Sequence, residues 1–175
     1  MPLDVDPIRI EGSWVRHVPA GLDPNGRPDP PPDNRWQRGD VVDALYLADS
    51  PACAWAEWYR HLAEAALPPN FALPRDLWTY RIRNLEVADL SDAARLARVG
   101  LATPLPGRRN WRQFQHVGEQ LYTEGWRGLV APSAARPRSM VLVIFLTDHA
   151  VADEVTPVRH LRIAEPPAPP TGMRT

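Results

Sequence analysis

Lysine is absent from this sequence of 175 residues, and all 20 of its basic side chains are arginines. The absence excludes a lysine nucleophile, a Schiff base and the phosphate-binding lysine of a P-loop. Arginine instead offers a planar fork of donors that suits phosphates and carboxylates. Proline is also abundant, with 21 residues, so the simplest explanation of the arginine bias is a GC-rich genome, whose codons favour Arg, Pro and Ala.

Cysteine, excess positive charge and long apolar runs are scarce as well. Cys53 stands alone, which excludes an intrachain disulfide and a cysteine-ligated zinc. The net charge of −1 argues against nucleic-acid binding through a broad basic surface. The longest apolar run, residues 140–146, is too short to cross a bilayer. The segment of residues 1–6 is acidic and lacks the apolar core of a signal peptide. We therefore expect a cytoplasmic protein.

Several common catalytic motifs are also missing. The five histidines form no HxxxH or HxH pair, and no GxSxG, GxGxxG or Walker motif occurs. These absences give no support to a metal site, to a serine hydrolase or to a Rossmann-type dinucleotide site. We expect no bound metal.

The pattern that is present predicts one α+β domain over residues 1–163. Proline and glycine clusters separate about six strands and three helices, including a strand at residues 13–18 and a helix at residues 51–66. The loop that follows the strand, at residues 19–40, is long for a compact domain, and this length favours a functional segment. Residues 164–175 form a proline-rich tail that we predict to be disordered.

Four polar residues stand where the local pattern favours apolar ones. Arg16 lies in a short strand, Tyr46 lies near the end of a second strand, Glu57 lies in an Ala/Trp/Leu helix, and Ser133 follows a buried strand. Each also has a structural explanation. Arg16 fits an exposed edge strand, Tyr46 a core position and Ser133 a turn cap. Glu57 fits an ion pair on a solvated face with a basic residue three or four positions later.

The order of these residues resembles the RES domain family, which is named for its Arg, Glu and Ser. The resemblance covers roughly residues 13–150. The matching stretches are Trp14-Val15-Arg16, Asn34-Arg35-Trp36-Gln37-Arg38-Gly39, Leu45-Tyr46-Leu47-Ala48-Asp49-Ser50 leading to Ala56-Glu57, and Gly128-Leu129-Val130-Ala131-Pro132-Ser133-Ala134.

Three positions depart from the family pattern. His17 stands where an aromatic ring often follows the first-strand arginine, and Gln37 replaces an asparagine. Many members also carry an asparagine in the last core strands, whereas this sequence has none after Asn110. The Arg, Tyr, Glu and Ser set is intact.

The resemblance implies a fold like the ADP-ribosyltransferase toxins, with a split, mostly antiparallel β core and helices around a cleft that binds NAD. It also implies the toxin of a bacterial toxin–antitoxin pair. Relatives break the nicotinamide–ribose bond of NAD by phosphorolysis, with inorganic phosphate as co-substrate, or by hydrolysis. The implied partner is an antitoxin with an Xre-like helix-turn-helix domain that plugs the cleft.

The residues suit that chemistry. A carboxylate stabilises the oxocarbenium-like ribose that forms as nicotinamide leaves, and arginine forks neutralise a diphosphate. Tyr46 is suited to stacking on the nicotinamide ring, and Ser133 to positioning Glu57 or the ribose. The predicted catalytic residues are Arg16, Glu57 and Ser133, and the predicted substrate-binding residues are Arg35, Tyr46 and His17.

Two alternatives stay open at this point. On the same fold, the ADP-ribose acceptor could be a protein, which would make the chain an ADP-ribosyltransferase. A non-catalytic module that mainly binds a DNA-binding antitoxin is the other alternative. For that function a basic patch is available, although an ion-paired face explains it more simply. The patch comprises Arg108, Arg109, Arg112 and Arg127.

Overall fold

The computed structural model describes residues 1–146 and 153–174, and within them it contains six β-strands and three α-helices. The predicted α+β class is confirmed. The strands are β1 (Asp6–Pro19), β2 (Ala44–Ala48), β3 (Arg75–Asp89), β4 (Gly128–Pro132), β5 (Met140–Phe145) and β6 (Val155–Ile163). The helices are α1 (Pro51–Glu64), α2 (Ala93–Arg98) and α3 (Trp111–Thr123), with a short 3-10 turn at Pro69–Ala72.

The sheet is mostly antiparallel and folds back on itself. Its strand order is β1-β2-β5-β4-β3-β6, and β1 also pairs with β3, so the five strands other than β6 form a closed circuit. Among the described strands, β3 and β4 are the parallel pair. β1 and β3 pair along their whole length, from Asp6 opposite Asp89 to Pro19 opposite Arg75, with an irregularity near Gly12.

Alternation along the strands divides the core into two layers. Successive side chains of a strand point to opposite faces, so Leu45 and Leu47 of β2 pack with Leu142 of β5 in one cluster. Ala44 of the same strand faces the other way, towards a second cluster built against α3. Tyr46 is partly buried and packs against this second cluster. The strand pattern therefore places Tyr46 on the helix-covered side of the sheet.

Helix α1 begins as the sequence predicts. The Ser50 side chain accepts a hydrogen bond from the backbone N–H of Cys53 at 3.2 Å, and Pro51 takes the first helical position, where no N–H is needed. Trp55 and Trp58 are buried on the helix and contact each other edge to face, with ring centroids 5.4 Å apart. Their burial fixes the helix against the sheet and sets the direction of Glu57.

The chain after β6 runs back over the domain. The Tyr59 hydroxyl donates to the Pro167 carbonyl, and the backbone N–H of Arg174 donates to the Ala135 carbonyl at 2.6 Å. The domain boundary at residue 163 and the disorder of residues 164–175 stay predictions. In the part of the chain that the structure describes, no helix combines the length and the apolar character needed to cross a membrane.

Candidate active site

A cavity of about 460 Å³ lies between α1, the strands β1 and β2 and the loop at residues 19–40. Its volume falls in the range of small-molecule sites. The structure brings all six predicted site residues together here. Ser133 lies behind the wall and contacts Glu57 directly. The five that line the cavity are Arg16, His17, Arg35, Tyr46 and Glu57.

The Glu57 carboxylate is held by three donors. Its Oε1 accepts from the Ser133 hydroxyl at 2.6 Å and from the Ala135 backbone N–H at 3.2 Å. Its Oε2 accepts from Nε of Arg60 at 2.9 Å. The expected ion pair at three residues along the helix therefore exists. It forms part of the cavity wall, where the Glu57 side chain is only 22% exposed, and not part of a solvated face.

Ser133 combines the two roles that its sequence position suggests. Its oxygen accepts from the backbone N–H groups of Ala135 and Arg136, at 3.1 and 3.0 Å, which caps the turn after β4. A serine hydroxyl has one proton to donate, and here the donor direction is towards Glu57. The turn therefore orients the hydroxyl, and the hydroxyl orients the carboxylate.

Arg35 is buried against an aromatic ring. Only 8% of the residue is exposed, and its guanidinium carbon lies 5.2 Å from the centroid of the Phe114 ring. One terminal nitrogen donates to the Leu105 carbonyl at 2.6 Å. Burial and then the nearby Arg60 charge lower the pKa of Arg35, while Glu57 acts in the opposite sense. A group with so high an ordinary pKa stays charged, so the cavity holds a fixed cation next to Glu57.

Tyr46 stands beside Arg35. Its hydroxyl oxygen accepts the backbone N–H of Trp36 at 3.3 Å, which fixes the ring against the segment that carries Arg35. Burial raises the pKa of Tyr46, so the phenol is neutral at physiological pH. The side chain is partly buried and lines the cavity, so part of it remains accessible to a ligand.

Arg16 anchors the long loop. Its guanidinium donates to the carbonyls of Pro24 and Gly26, the second at 3.1 Å, and the Tyr80 hydroxyl also donates to the Pro24 carbonyl at 2.6 Å. Burial lowers the pKa of Arg16. The exposed edge-strand explanation of Arg16 is therefore wrong, because the side chain is partly buried in the cavity wall.

His17 lines the cavity, and its ring contacts Trp55 and Arg75. Its ring stacks on Trp55, with centroids 5.0 Å apart and planes 5° apart, and its Nδ1 accepts from Nε of Arg75 at 2.8 Å. Burial, followed by the charges of Arg75 and Arg16, lowers the pKa of His17 to about 3. The imidazole is therefore neutral, and the accepted hydrogen bond assigns its proton to Nε2.

The unusual pKa of His17 predicts a pH-dependent stability. In the unfolded chain the imidazole takes up a proton near pH 6.5, whereas in the folded chain it does so only near pH 3, so stability falls as the pH drops through this window. In His17→Phe, which keeps a ring against Trp55, this loss should be absent. Between about pH 6.5 and about pH 4.5 the wild type should lose up to about 2–3 kcal/mol relative to the variant. Urea unfolding of both proteins at the two pH values measures the difference, and equal losses would contradict the prediction.

Three cavity arginines were missed as site residues, and one of them is Arg27, which pairs with Asp43. Arg60 bridges Glu57 and Glu64, and Glu64 in turn accepts the backbone N–H of Gly107 at 3.0 Å. The spacing of three residues between Glu57 and Arg60 on the helix is a sequence signal that points to Arg60. Arg75, the first residue of β3, lines the cavity beside His17. No local pattern in the sequence marks it.

The proposed basic patch is partly engaged in other contacts. Arg127 pairs with Glu154, with one contact at 2.8 Å, and the Arg108 guanidinium carbon lies 5.1 Å from the centroid of the Trp111 ring. These contacts favour the ion-paired explanation for Arg127. Within residues 1–146 and 153–174, no group of three or more His, Cys, Asp or Glu side chains is placed to hold a metal ion.

Fold and site together define an α+β domain whose cavity is lined by five arginines and by the carboxylates of Glu57 and Asp43, an arrangement suited to an anionic ligand. The RES domain model matches residues 7–164, which is most of the chain. The chain therefore belongs to the RES domain family.

A solved structure shares the fold. It is described as the crystal structure of the M. tuberculosis MbcT–MbcA toxin–antitoxin complex. The match has a TM-score of 0.74 at 20% sequence identity, and it covers 90% of this chain and 87% of the matched chain. No curated protein sequence matches the chain.

Proposed function

We propose that this chain is the toxin enzyme of a toxin–antitoxin pair and that it cleaves the nicotinamide–ribose bond of NAD. The observation that carries the proposal is the Glu57 carboxylate, which Ser133 and Arg60 hold in the wall of a cavity that also presents Arg16 and Arg35. The RES domain match supports the proposal, because it spans the stretches that contain Arg16, Glu57 and Ser133 and on which the family resemblance rests.

The bond to be broken explains the need for the carboxylate. When the C1″–N bond of NAD breaks, its electron pair goes to the nicotinamide nitrogen and the ribose becomes positively charged. A fixed negative charge stabilises this state, as in glycoside hydrolysis. Oε1 of Glu57 already accepts two hydrogen bonds, whereas Oε2 accepts one, from Arg60. A carboxylate has about four acceptor positions, so Oε2 has capacity for a ribose hydroxyl.

The arginines and the tyrosine would bind the rest of the ligand. Arg16 and Arg35 now donate to loop carbonyls, and a diphosphate oxygen is a stronger acceptor for a guanidinium than a neutral carbonyl. Tyr46 is neutral and lines the cavity near both Arg35 and Glu57. Its ring is suited to contact with the nicotinamide ring, at the end of the ligand where the bond breaks.

The acceptor of the ADP-ribose is phosphate or water. A phosphate oxygen that bonds to C1″ gives ADP-ribose 1″-phosphate, and water gives ADP-ribose with release of one proton. For the partner we propose an antitoxin with an Xre-like helix-turn-helix domain. The structural neighbour is described as part of a toxin–antitoxin complex, which supports an antitoxin as the partner.

Product analysis tests the function. The purified chain is incubated with NAD in phosphate buffer and in a phosphate-free buffer of equal ionic strength, and the products are separated by HPLC and identified by ³¹P NMR. Nicotinamide with ADP-ribose 1″-phosphate indicates phosphorolysis, and nicotinamide with ADP-ribose indicates hydrolysis. If folded protein, verified by its thermal melt, releases no nicotinamide in either buffer, the proposed function is wrong.

A further inference from the structure

Arg75 contributes a positive charge to the cavity, and the proposed function gives this side chain no role. It is the first residue of β3 and lines the cavity together with Arg16 and His17. Burial, followed by the nearby Arg16 charge, lowers the pKa of Arg75 to about 10. The Arg16 charge therefore disfavours the charge on Arg75. Arg75 is thus a cation in the cavity wall whose charge an anionic ligand would stabilise.

Arg16 and Arg75 have no acidic partner in the described part of the chain. No Asp or Glu oxygen there lies within 4 Å of the guanidinium of Arg16 or Arg75, although Asp23 exerts a weaker, longer-range attraction on Arg16. Arg60 differs in this respect, because it pairs with Glu57 and Glu64. Arg27 is paired in the same way, with Asp43. Arg16 and Arg75 are therefore cavity arginines without such a carboxylate partner in the described residues.

The His17 ring fixes Arg75 and leaves its outer nitrogens accessible. Nε of Arg75 donates to Nδ1 of His17 at 2.8 Å, which uses the inner edge of the guanidinium. The two terminal nitrogens have only long contacts of 3.5 Å, to the carbonyls of Ala72 and His17. Hydrogen bonds of that length are weak, so these nitrogens can exchange them for a better acceptor.

We propose that Arg75 binds a phosphate group in the cavity and that His17 acts as the positioning residue for Arg75. A phosphate oxygen pair matches the guanidinium fork, and its charge offsets the like charge of Arg16. The inference rests on the proposed function for the identity of the ligand, since the phosphate group is either part of the NAD diphosphate or free inorganic phosphate. Its test needs no turnover.

Calorimetric titration of the purified chain with orthophosphate and with pyrophosphate tests the site, with sodium chloride keeping the ionic strength constant. We expect Arg75→Gln to weaken binding of at least one of the two anions about 10- to 100-fold, the range typical of a lost hydrogen bond to a charged group. An effect on orthophosphate alone assigns the site to the co-substrate, and an effect on pyrophosphate assigns it to the diphosphate. Unchanged binding of both anions would overturn the inference.

Controls separate the site from general charge and folding effects. Arg81→Gln removes an exposed arginine from the same strand, outside the cavity, and should leave both titrations unchanged. If Arg75→Gln fails to fold, Arg75→Lys keeps the charge but loses the fork, and it should still weaken binding. If the wild type binds these anions through Arg75 but releases no nicotinamide from NAD, the proposed function fails and the phosphate site stands.

The role of His17 has its own test. His17→Phe keeps the stacking on Trp55 but removes the acceptor for Arg75, so it should weaken anion binding by less than Arg75→Gln does. In the double variant the effect of His17→Phe should disappear, because the residue acts through Arg75. A purely structural role would instead give additive losses, and that outcome would contradict the positioning role.

Discussion

Replacement of Glu57 by glutamine should reduce kcat/KM for nicotinamide release about 10²- to 10³-fold, the loss typical when a group that stabilises transition-state charge is removed. The amide has nearly the same shape as the carboxylate but no negative charge to place beside the developing ribose cation. Its NH₂ group would also face a donor, either the Ser133 hydroxyl or Nε of Arg60, which both now donate to the carboxylate. The measurement is nicotinamide release followed by HPLC at saturating and at low NAD.

A matched control is available on β1. Glu11→Gln makes the same chemical change at an exposed position outside the cavity, and it should leave both the activity and the thermal melt unchanged. Bacteria that express the Glu57→Gln chain without an antitoxin should also keep their NAD and continue to grow. A folded Glu57→Gln protein that retains most of the wild-type rate would remove Glu57 from the mechanism.

The sequence predicted the parts of the fold that local patterns determine. The start of α1 follows from Ser50 and Pro51, and the structure ends that helix at Glu64, two residues before the predicted end. The first strand was predicted only at residues 13–18, whereas β1 extends over Asp6–Pro19. Most side chains of residues 6–12 are exposed, so they show little apolar alternation. Their strand conformation depends on pairing with the distant β3, which no local pattern reveals.

In the candidate site, too, the residues marked by local patterns were predicted and those that depend on long-range strand pairing were not. Glu57 and Ser133 were selected from local context and from the family resemblance, and the structure joins them by a hydrogen bond across 76 positions of the sequence. The pairing of His17 with Arg75 was missed because it depends on strand register. His17 stands opposite Leu77, and Arg75 stands opposite Pro19, two positions along, so the two residues are diagonal neighbours on one face of the sheet. A single sequence contains no signal for that register.

The structure also explains why a glycine, Gly118, stands in the middle of a helix. It lies in the middle of α3, where glycine costs about 1 kcal/mol relative to alanine. A β-carbon at this position would lie 2.2 Å from the carbonyl oxygen of Trp36 and 3.0 Å from its carbonyl carbon. The helix therefore approaches the backbone of the segment that carries Arg35 more closely than any side chain would allow.

Gly118→Ala should consequently destabilise the protein by about 1–3 kcal/mol, because overpacking against a backbone group outweighs the gain in helix propensity. The displaced Trp36 backbone would also lose its hydrogen bond to the Tyr46 hydroxyl and would shift Arg35, so nicotinamide release should fall as well. Urea unfolding gives the stability, and Gln113→Ala on the exposed side of the same helix is the control. A Gly118→Ala protein as stable as the wild type would show that the helix can move away from Trp36 at little cost. The position of Arg35 would then depend on its own bond to Leu105 and its contact with Phe114, and not on the close approach of α3.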